Sequence, residues 1–125
     1  MSTPRRRCAV VDDSRVVLDL LRVVLAHAGW DVSTYSEVAG LELRLREWGP
    51  DVILLDVGMP GVGERSLRQR VILLRAATGA KILLHSAREP AELSRQGQRA
   101  GADGVLVKSG DLAAIGATLD RFVPR

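Results

Sequence analysis

Three short apolar runs in this chain of 125 residues are each followed directly by charged side chains. They are Val10-Val11 before Asp12 and Asp13, Val52–Leu55 before Asp56, and Val105–Val107 before Lys108. Short apolar runs of this kind are typical of buried strands. If the strands are parallel neighbours in one sheet, their carboxyl ends gather three carboxylates and one ammonium group in the crevice where open α/β sheets bind ligands.

This collection of like charges restricts what the crevice can do. Carboxylates that lie close together cannot all stay ionised without a compensating positive charge. A hard divalent cation that prefers oxygen ligands would supply that charge, and one aspartate could then act as a carboxylate nucleophile. The residues alone therefore indicate a cation site with covalent chemistry on an aspartate.

Apolar runs and helical periodicity alternate five times along the chain. The predicted strands are Arg7–Val11, Val32–Tyr35, Val52–Leu55, Lys81–His85 and Val105–Val107. The predicted helices are Ser14–Ala28, Val38–Trp48, Glu64–Thr78, Pro90–Ala100 and Asp111–Phe122. Five such units predict an α/β fold with a parallel sheet, right-handed crossovers and helices on both faces.

The composition fits one small domain in a reducing compartment. A content of 46% hydrophobic and 3% aromatic residues predicts an aliphatic core. The single cysteine, Cys8, excludes an internal disulfide and is expected to be a small buried hydrophobe. No apolar run approaches the ~20 residues of a membrane span and no signal peptide is visible, so we expect a cytoplasmic protein that does not contact a membrane. The chain ends three residues after the last predicted helix, and we expect residues 1–125 to form one domain without an output domain.

The charge of +3 is carried by 16 arginines and two lysines. Arginines that share a helix face, such as Arg88, Arg95 and Arg99, could contact nucleic acid or an acidic partner. Glu92, four residues after Arg88, instead favours a solvated face with ion pairs. Few aromatic residues lie among the basic ones, so we do not expect nucleic acid as a partner.

Several motifs occur together in a fixed order along the chain. They are Asp12-Asp13, Asp56 followed by Met59-Pro60, Ser86-Ala87 after the fourth strand, and Gly101–Gly104 leading to Lys108. In this combination the chain resembles a response-regulator receiver domain over essentially its whole length. The resemblance implies a flavodoxin-like (βα)5 fold, with a doubly wound five-stranded parallel sheet in the strand order 2-1-3-4-5.

The resemblance also implies a role for each site residue. Asp56 matches the phosphoacceptor, Ser86 the hydroxyl that binds the new phosphoryl group, and Lys108 the lysine that pairs with it. The implied Mg²⁺ ligands are Asp12 acting largely through water, Asp13, Asp56 and the main-chain carbonyl of Gly58. Such a site fits phosphoryl transfer, which needs positioning and charge stabilisation more than covalent help.

The function implied is that of a phosphoacceptor in two-component or phosphorelay signalling. The donor would be a phosphohistidine on a histidine kinase or a histidine phosphotransfer protein. The domain would catalyse only its own phosphorylation and dephosphorylation, so we do not class it as an enzyme. As a monomer or weak dimer it would signal through contacts with a further protein. Gly58 and Arg88 would flank the path of the hydrolytic water, and His85 is expected to be packed or bonded to water rather than to transfer protons.

Three positions depart from the family's usual pattern. Val105 replaces an aromatic residue, Ser109 replaces a proline, and Gly110 replaces a large apolar residue. They favour an alternative function, in which a degenerate receiver serves as a protein-binding scaffold and is not phosphorylated, and they predict a looser loop after the fifth strand. An aspartate-nucleophile phosphatase fits less well, because that family has a second aspartate at the position of Gly58.

Two helices carry further hypotheses. The helix Pro90–Ala100 has one large apolar residue, Leu93, and we expect it to be weakly anchored and mobile. The helix Ser14–Ala28 is apolar around most of its circumference. Val16, Leu18 or Val23 could therefore help to seat a helical phosphodonor, or could be buried under the last helix.

Overall fold

A computed structural model of the chain describes residues 5–59, 64–108 and 111–124. The strands are β1 (Arg7–Val11), β2 (Asp31–Tyr35), β3 (Val52–Asp56), β4 (Lys81–Ser86) and β5 (Gly104–Val107). The helices are α1 (Arg15–His27), α2 (Leu41–Trp48), α3 (Glu64–Thr78), α4 (Pro90–Ala100) and α5 (Ile115–Phe122), with a 3₁₀ turn at Leu112–Ala114 before α5.

The five strands form one parallel sheet in the order β2-β1-β3-β4-β5. Side chains alternate between the two faces along each strand. One face packs Val10 and Leu54 against α1 and α5, and the other packs Ile53 and Leu55 against α2, α3 and α4. The predicted fold class and strand order are confirmed.

Capping residues define the start of α1 and the end of α4. The Ser14 hydroxyl accepts a hydrogen bond from the Val17 N–H at 3.4 Å and begins α1, while Gly101, with φ of 76°, ends α4. The predicted start of α2 at Val38 is wrong by three residues, because Gly40 has the left-handed φ of 67° and the helix begins only at Leu41.

The predicted helix from Asp111 is also partly wrong. The Asp111 carboxylate accepts a hydrogen bond from the Ala113 N–H at 2.9 Å, and this cap closes the 3₁₀ turn rather than a first α-helical turn. The α-helix itself begins at Ile115, and Leu119 fixes it on the sheet as a fully buried residue.

Two consecutive arginines hold β1 to both helical layers. The Arg6 guanidinium lies 4.2 Å from the centre of the Trp30 ring, on the α1 and α5 side, and forms an ion pair with Asp120 of α5 at 2.6 Å. The Arg7 guanidinium lies 5.5 Å from the centre of the Trp48 ring, on the α2 side. These contacts lie at the start of β1, at the opposite end of the strand from Asp12.

Helix α1 exposes less apolar surface than its sequence suggested. Val16 and Val23 are 76% and 57% exposed. Of the two alternatives left open for Leu18, burial holds, because it lies in the core cluster that includes Ile115 and Leu119 of α5 and is not available to a docking surface. Cys8 is buried as predicted, and burial raises the pKa of its thiol far above the usual range.

Helix α4 has the thin apolar anchor expected from its sequence. Its buried residues are Leu93, Gln96, Gly97 and Ala100, so Leu93 is the one large apolar side chain that it buries. In the part of the chain that the structure describes, no helix is long and apolar enough to cross a membrane.

Candidate functional site

The ends of β1, β3 and β5 converge at one edge of the sheet. The Lys108 Nζ atom, directly after β5, lies 2.8 Å from Asp12 Oδ2 and 3.3 Å from Asp56 Oδ1. Because β4 separates β3 from β5, the long lysine side chain must cross one strand to reach both carboxylates. The structure therefore brings together the charged groups that the apolar runs predicted.

The three aspartates form one cluster of oxygen atoms. One carboxylate oxygen from each of Asp12, Asp13 and Asp56 lies within 4.8 Å of the other two. Asp12 and Asp56 are buried, at 0% and 4% exposure, whereas Asp13 is exposed. One side of the cluster is thus solvent-accessible and the other is enclosed by the sheet.

Main-chain N–H groups fix the orientation of the two buried carboxylates. The Ser14 N–H donates to Asp12 Oδ1 at 2.9 Å, and the Gly58 N–H donates to Asp56 Oδ1 at 3.1 Å. Both are turns in which an aspartate binds the N–H two residues later. In the sequence, the Asp-x-Ser spacing of Asp12 and Ser14 is the signal of the first of these turns.

Burial dominates the electrostatics of Asp56. Burial raises the pKa of this carboxyl group, the nearby Asp12 charge raises it further, and the Gly58 N–H and Lys108 only partly offset these effects. For Lys108, burial lowers the pKa, but the hydrogen bond and charge of Asp12 and the charge of Asp56 outweigh burial and raise it. The site thus holds one ammonium group among three carboxylates.

The donor atoms of this cluster suit a hard divalent cation. All three ligand groups are carboxylates, which Mg²⁺ prefers, usually together with several waters. Apart from its contact with the Lys108 ammonium, Asp12 Oδ2 is buried without a hydrogen bond from the described residues. The resemblance implied the carbonyl of Gly58 as a further ligand. Gly58 lies beside the same site, because a methyl group added at its Cα would be 3.6 Å from Asp56 Oδ1.

Ser86 and His85 lie at the end of β4, beside Asp56. The Ser86 hydroxyl oxygen accepts a hydrogen bond from the Arg88 N–H at 3.1 Å, and the Ser86 carbonyl accepts one from the Lys108 N–H at 2.7 Å. His85 pairs in register with Asp56 and is buried. It is packed beside the site, as its sequence position suggested.

Comparison with known proteins identifies the family. The family model for the response regulator receiver domain matches residues 8–120. The chain belongs to this family.

Relatives and solved structures agree with the receiver-domain assignment. The DNA-binding response regulator MtrA of Mycobacterium tuberculosis is 31% identical over 108 residues, which are 86% of this chain and 46% of MtrA. The phosphate regulon regulator PhoB of Rhizobium meliloti is 32% identical over 82% of this chain and 45% of its own length. This receiver domain therefore spans about half the length of the curated relatives that it matches.

Among solved structures, the fold is shared with chemotaxis protein CheY4 of Vibrio cholerae and with the BeF3-activated DrrB receiver domain. The TM-score to CheY4 is 0.80 at 24% identity, covering 96% of this chain and 100% of that one. The TM-score to DrrB is 0.76 at 25% identity, covering 98% and 100%. Receiver domains act in two-component signalling with histidine kinases as partners and bind Mg²⁺ in an acidic pocket.

This receiver domain departs from the family pattern at a position the structure describes. Val105 of β5 packs, partly buried, on the layer that contains α4. Ser109 and Gly110, with the expected looser loop after β5, lie outside the described residues, as does Pro60 of the Met59-Pro60 motif.

Proposed function

We propose that this receiver domain accepts a phosphoryl group on Asp56 from a phosphohistidine of a histidine kinase or a histidine phosphotransfer protein. Asp12, Asp13, Asp56 and the Gly58 carbonyl would hold the Mg²⁺ ion. The observation that carries the proposal is the placement of the Asp56 carboxylate. It is buried, 3.3 Å from an ammonium nitrogen, and clustered with two further carboxylates.

The proposed reaction uses Asp56 as a carboxylate nucleophile. A carboxylate oxygen forms a bond to phosphorus while the bond between phosphorus and the donor imidazole nitrogen breaks, and the imidazole leaves. The Gly58 N–H and the Lys108 ammonium both contact Asp56 Oδ1, so Oδ2 is the oxygen that neither occupies. We therefore assign the attack to Oδ2.

Charge stabilisation would come from the surrounding groups. Bound Mg²⁺ would offset the negative charge of the carboxylates and of the phosphoryl oxygens. Lys108 supplies a compact positive charge. The Ser86 oxygen accepts from the Arg88 N–H, which leaves the Ser86 O–H available to donate to a phosphoryl oxygen.

The domain would signal by protein contacts once phosphorylated. A phosphoryl group adds charge and strong acceptor oxygens, which can draw donors such as Ser86 and Lys108 inward. We propose that residues 1–125 act as one receiver unit, in the cytoplasm, as is typical of the family. Its chemistry would be limited to its own phosphorylation and dephosphorylation.

The test is incubation with acetyl phosphate and Mg²⁺, followed by intact-mass measurement. The wild-type protein should gain one phosphoryl group, while Asp56→Asn should gain none and removal of Mg²⁺ by chelation should prevent the gain. A mass gain that persists in Asp56→Asn would contradict the assignment of the acceptor.

The second candidate is a scaffold that is not phosphorylated, favoured by Val105 in place of the usual aromatic residue. The same experiment separates the two functions. A wild-type protein that binds Mg²⁺ but never gains a phosphoryl group from acetyl phosphate or from any of the organism's histidine kinases would support the scaffold.

A further inference from the structure

A cavity of about 210 Å³ lies between β5 and the start of α5, next to the acidic cluster. Its walls include His85 and Lys108, together with Leu106, Asp111, Ile115 and Thr118. The cavity is large enough to hold water, and Lys108, whose ammonium contacts the acidic cluster, forms part of its wall. A water molecule in this cavity could therefore contact Lys108 and orient its side chain.

His85 contributes an unpaired polar atom at this place. The residue is 4% exposed, and its Nδ1 atom is buried without a hydrogen-bond partner among the residues that the structure describes. Side chains alternate along a strand, and His85 pairs in register with Asp56 and Leu106, so its side chain is on the same face as Asp56. Leaving a buried polar atom unpaired is unfavourable, and buried polar atoms are usually bonded to protein or to ordered water.

Lys108 has the complementary group. Its ammonium carries three N–H donors, and the contacts with Asp12 and Asp56 account for two of them. A buried water needs two to four polar partners. Lys108 and His85 both line this cavity, and the ammonium of one can donate to a water there while Nδ1 of the other accepts from it.

We propose that His85 is a positioning residue for Lys108, acting through a water molecule in this cavity that donates to His85 Nδ1 and accepts from the Lys108 ammonium. The inference rests on the proposed function, in which Lys108 binds the phosphoryl group on Asp56. The water would be a third, uncharged partner of the ammonium. It would direct the ammonium toward the phosphoryl group and leave its positive charge in place, whereas a third carboxylate would offset that charge.

The protonation of His85 agrees with this role. Burial, and then the Lys108 charge, lower the pKa of His85 to about 4. The imidazole is therefore neutral near pH 7. In the proposed contact its proton lies on Nε2, and the lone pair of Nδ1 accepts from the water.

The test compares His85→Asn, His85→Gln and His85→Leu in the full chain. Asparagine places its amide near the position of Nδ1, glutamine places it near Nε2, and leucine supplies no polar group. We expect the rate of phosphorylation by acetyl phosphate to fall about tenfold in the leucine and glutamine variants and to stay near the wild-type rate in the asparagine variant. Equal rates in the asparagine and glutamine variants would overturn the proposal, and Leu106→Met, at another wall of the cavity, serves as the packing control.

A second measurement does not depend on phosphorylation. The ¹⁵N chemical shifts of the His85 imidazole should show the Nε2–H tautomer with Nδ1 hydrogen-bonded, and Lys108→Met should shift the Nδ1 signal. An Nδ1 signal unchanged by Lys108→Met would sink the positioning role, whereas failure of the wild-type protein to be phosphorylated would sink the proposed function alone.

Discussion

Gly97 of α4 lies directly against Val105 of β5. A methyl group added at Gly97 would come within 2.6 Å of Val105 Cγ1, closer than side chains pack. The contact lets α4 approach the strand at the position where receivers usually carry an aromatic ring. The close packing of α4 on β5 thus depends on a glycine in the helix and a valine, rather than an aromatic residue, in the strand.

Gly97→Ala should destabilise the protein despite the better helix propensity of alanine. Alanine in a helix gains about 1 kcal/mol over glycine, but forcing a methyl group into a packed contact costs about 1–3 kcal/mol. We expect a net loss of about 1 kcal/mol in the free energy of unfolding, measured by urea denaturation.

The matched partner for this prediction is Val105→Ala. Because it removes the atom that the new methyl group meets, the double variant should be more stable than the sum of the two single effects, with a coupling of about 1 kcal/mol. If the effects of the two single substitutions on the free energy of unfolding were strictly additive, α4 would not be in direct contact with Val105.

Gln96→Leu should stabilise the protein. Gln96 is 9% exposed, and its Oε1 atom is buried with no hydrogen bond from any described residue. A buried polar atom left unpaired costs about 1–3 kcal/mol, so leucine should add about 1 kcal/mol to the free energy of unfolding. The exposed Gln98→Leu on the same helix should change stability by less than about 0.5 kcal/mol, and equal effects of the two substitutions would argue against the buried amide.

Helix α4 should also open more readily than α1. It buries one large apolar side chain, Leu93, whereas α1 buries three leucines. Native-state amide hydrogen exchange should therefore show lower protection in α4. Equal protection of the amides in α1 and α4 would contradict the hypothesis that α4 is weakly anchored and mobile.

The sheet and the acidic cluster could be predicted because they depend on signals carried by consecutive residues. Apolar runs such as Val52–Leu55 become buried strands in a parallel sheet, and the charge after each run is placed by the strand end. Asp12, Asp56 and Lys108 meet because β1, β3 and β5 end at the same edge.

Contacts between distant segments could not be predicted from one sequence. Nothing in the local pattern around Gly97 indicates that Val105 lies against it, and the burial of Leu18 depends on which side of α1 faces the sheet. The start of α2 was missed for a local reason, since Gly40 was not recognised as a residue with positive φ.

Asp103 should make stability depend on pH in the acid range. Its Oδ2 atom accepts from the Ile82 N–H and from the Arg75 guanidinium, both at 2.8 Å. Burial raises the pKa of this carboxyl group, but these two donors outweigh burial and hold it below the ordinary value of 3.8. The carboxylate therefore stabilises the fold at pH values above about 4, and this contribution is lost as the pH falls through the lowered pKa.

Asp103→Asn should remove this dependence. We expect it to lower the free energy of unfolding by about 1 kcal/mol at pH 7, with the difference from wild type disappearing near pH 2, measured by urea denaturation across pH. Arg75→Met should have a smaller effect, because that ion pair is partly exposed. A loss in Asp103→Asn that is the same at both pH values would show that the charge of Asp103 is not responsible.

The exposed stripe on α1, formed by Val16, Leu20 and Val23, should seat the phosphodonor protein. These side chains are 76%, 44% and 57% exposed and lie on one side of the helix. Such apolar surface often marks a partner site.

The double substitution Val16→Ser and Val23→Ser should slow transfer from the cognate histidine kinase about tenfold, the effect of losing about 1.4 kcal/mol of contact. It should leave phosphorylation by acetyl phosphate unchanged, because a small donor needs no docking surface. Leu43→Ser, 60% exposed on α2, is the matched control and should affect neither rate. If the double variant accepted phosphate from the kinase at the wild-type rate, the docking surface would have to lie elsewhere on the domain.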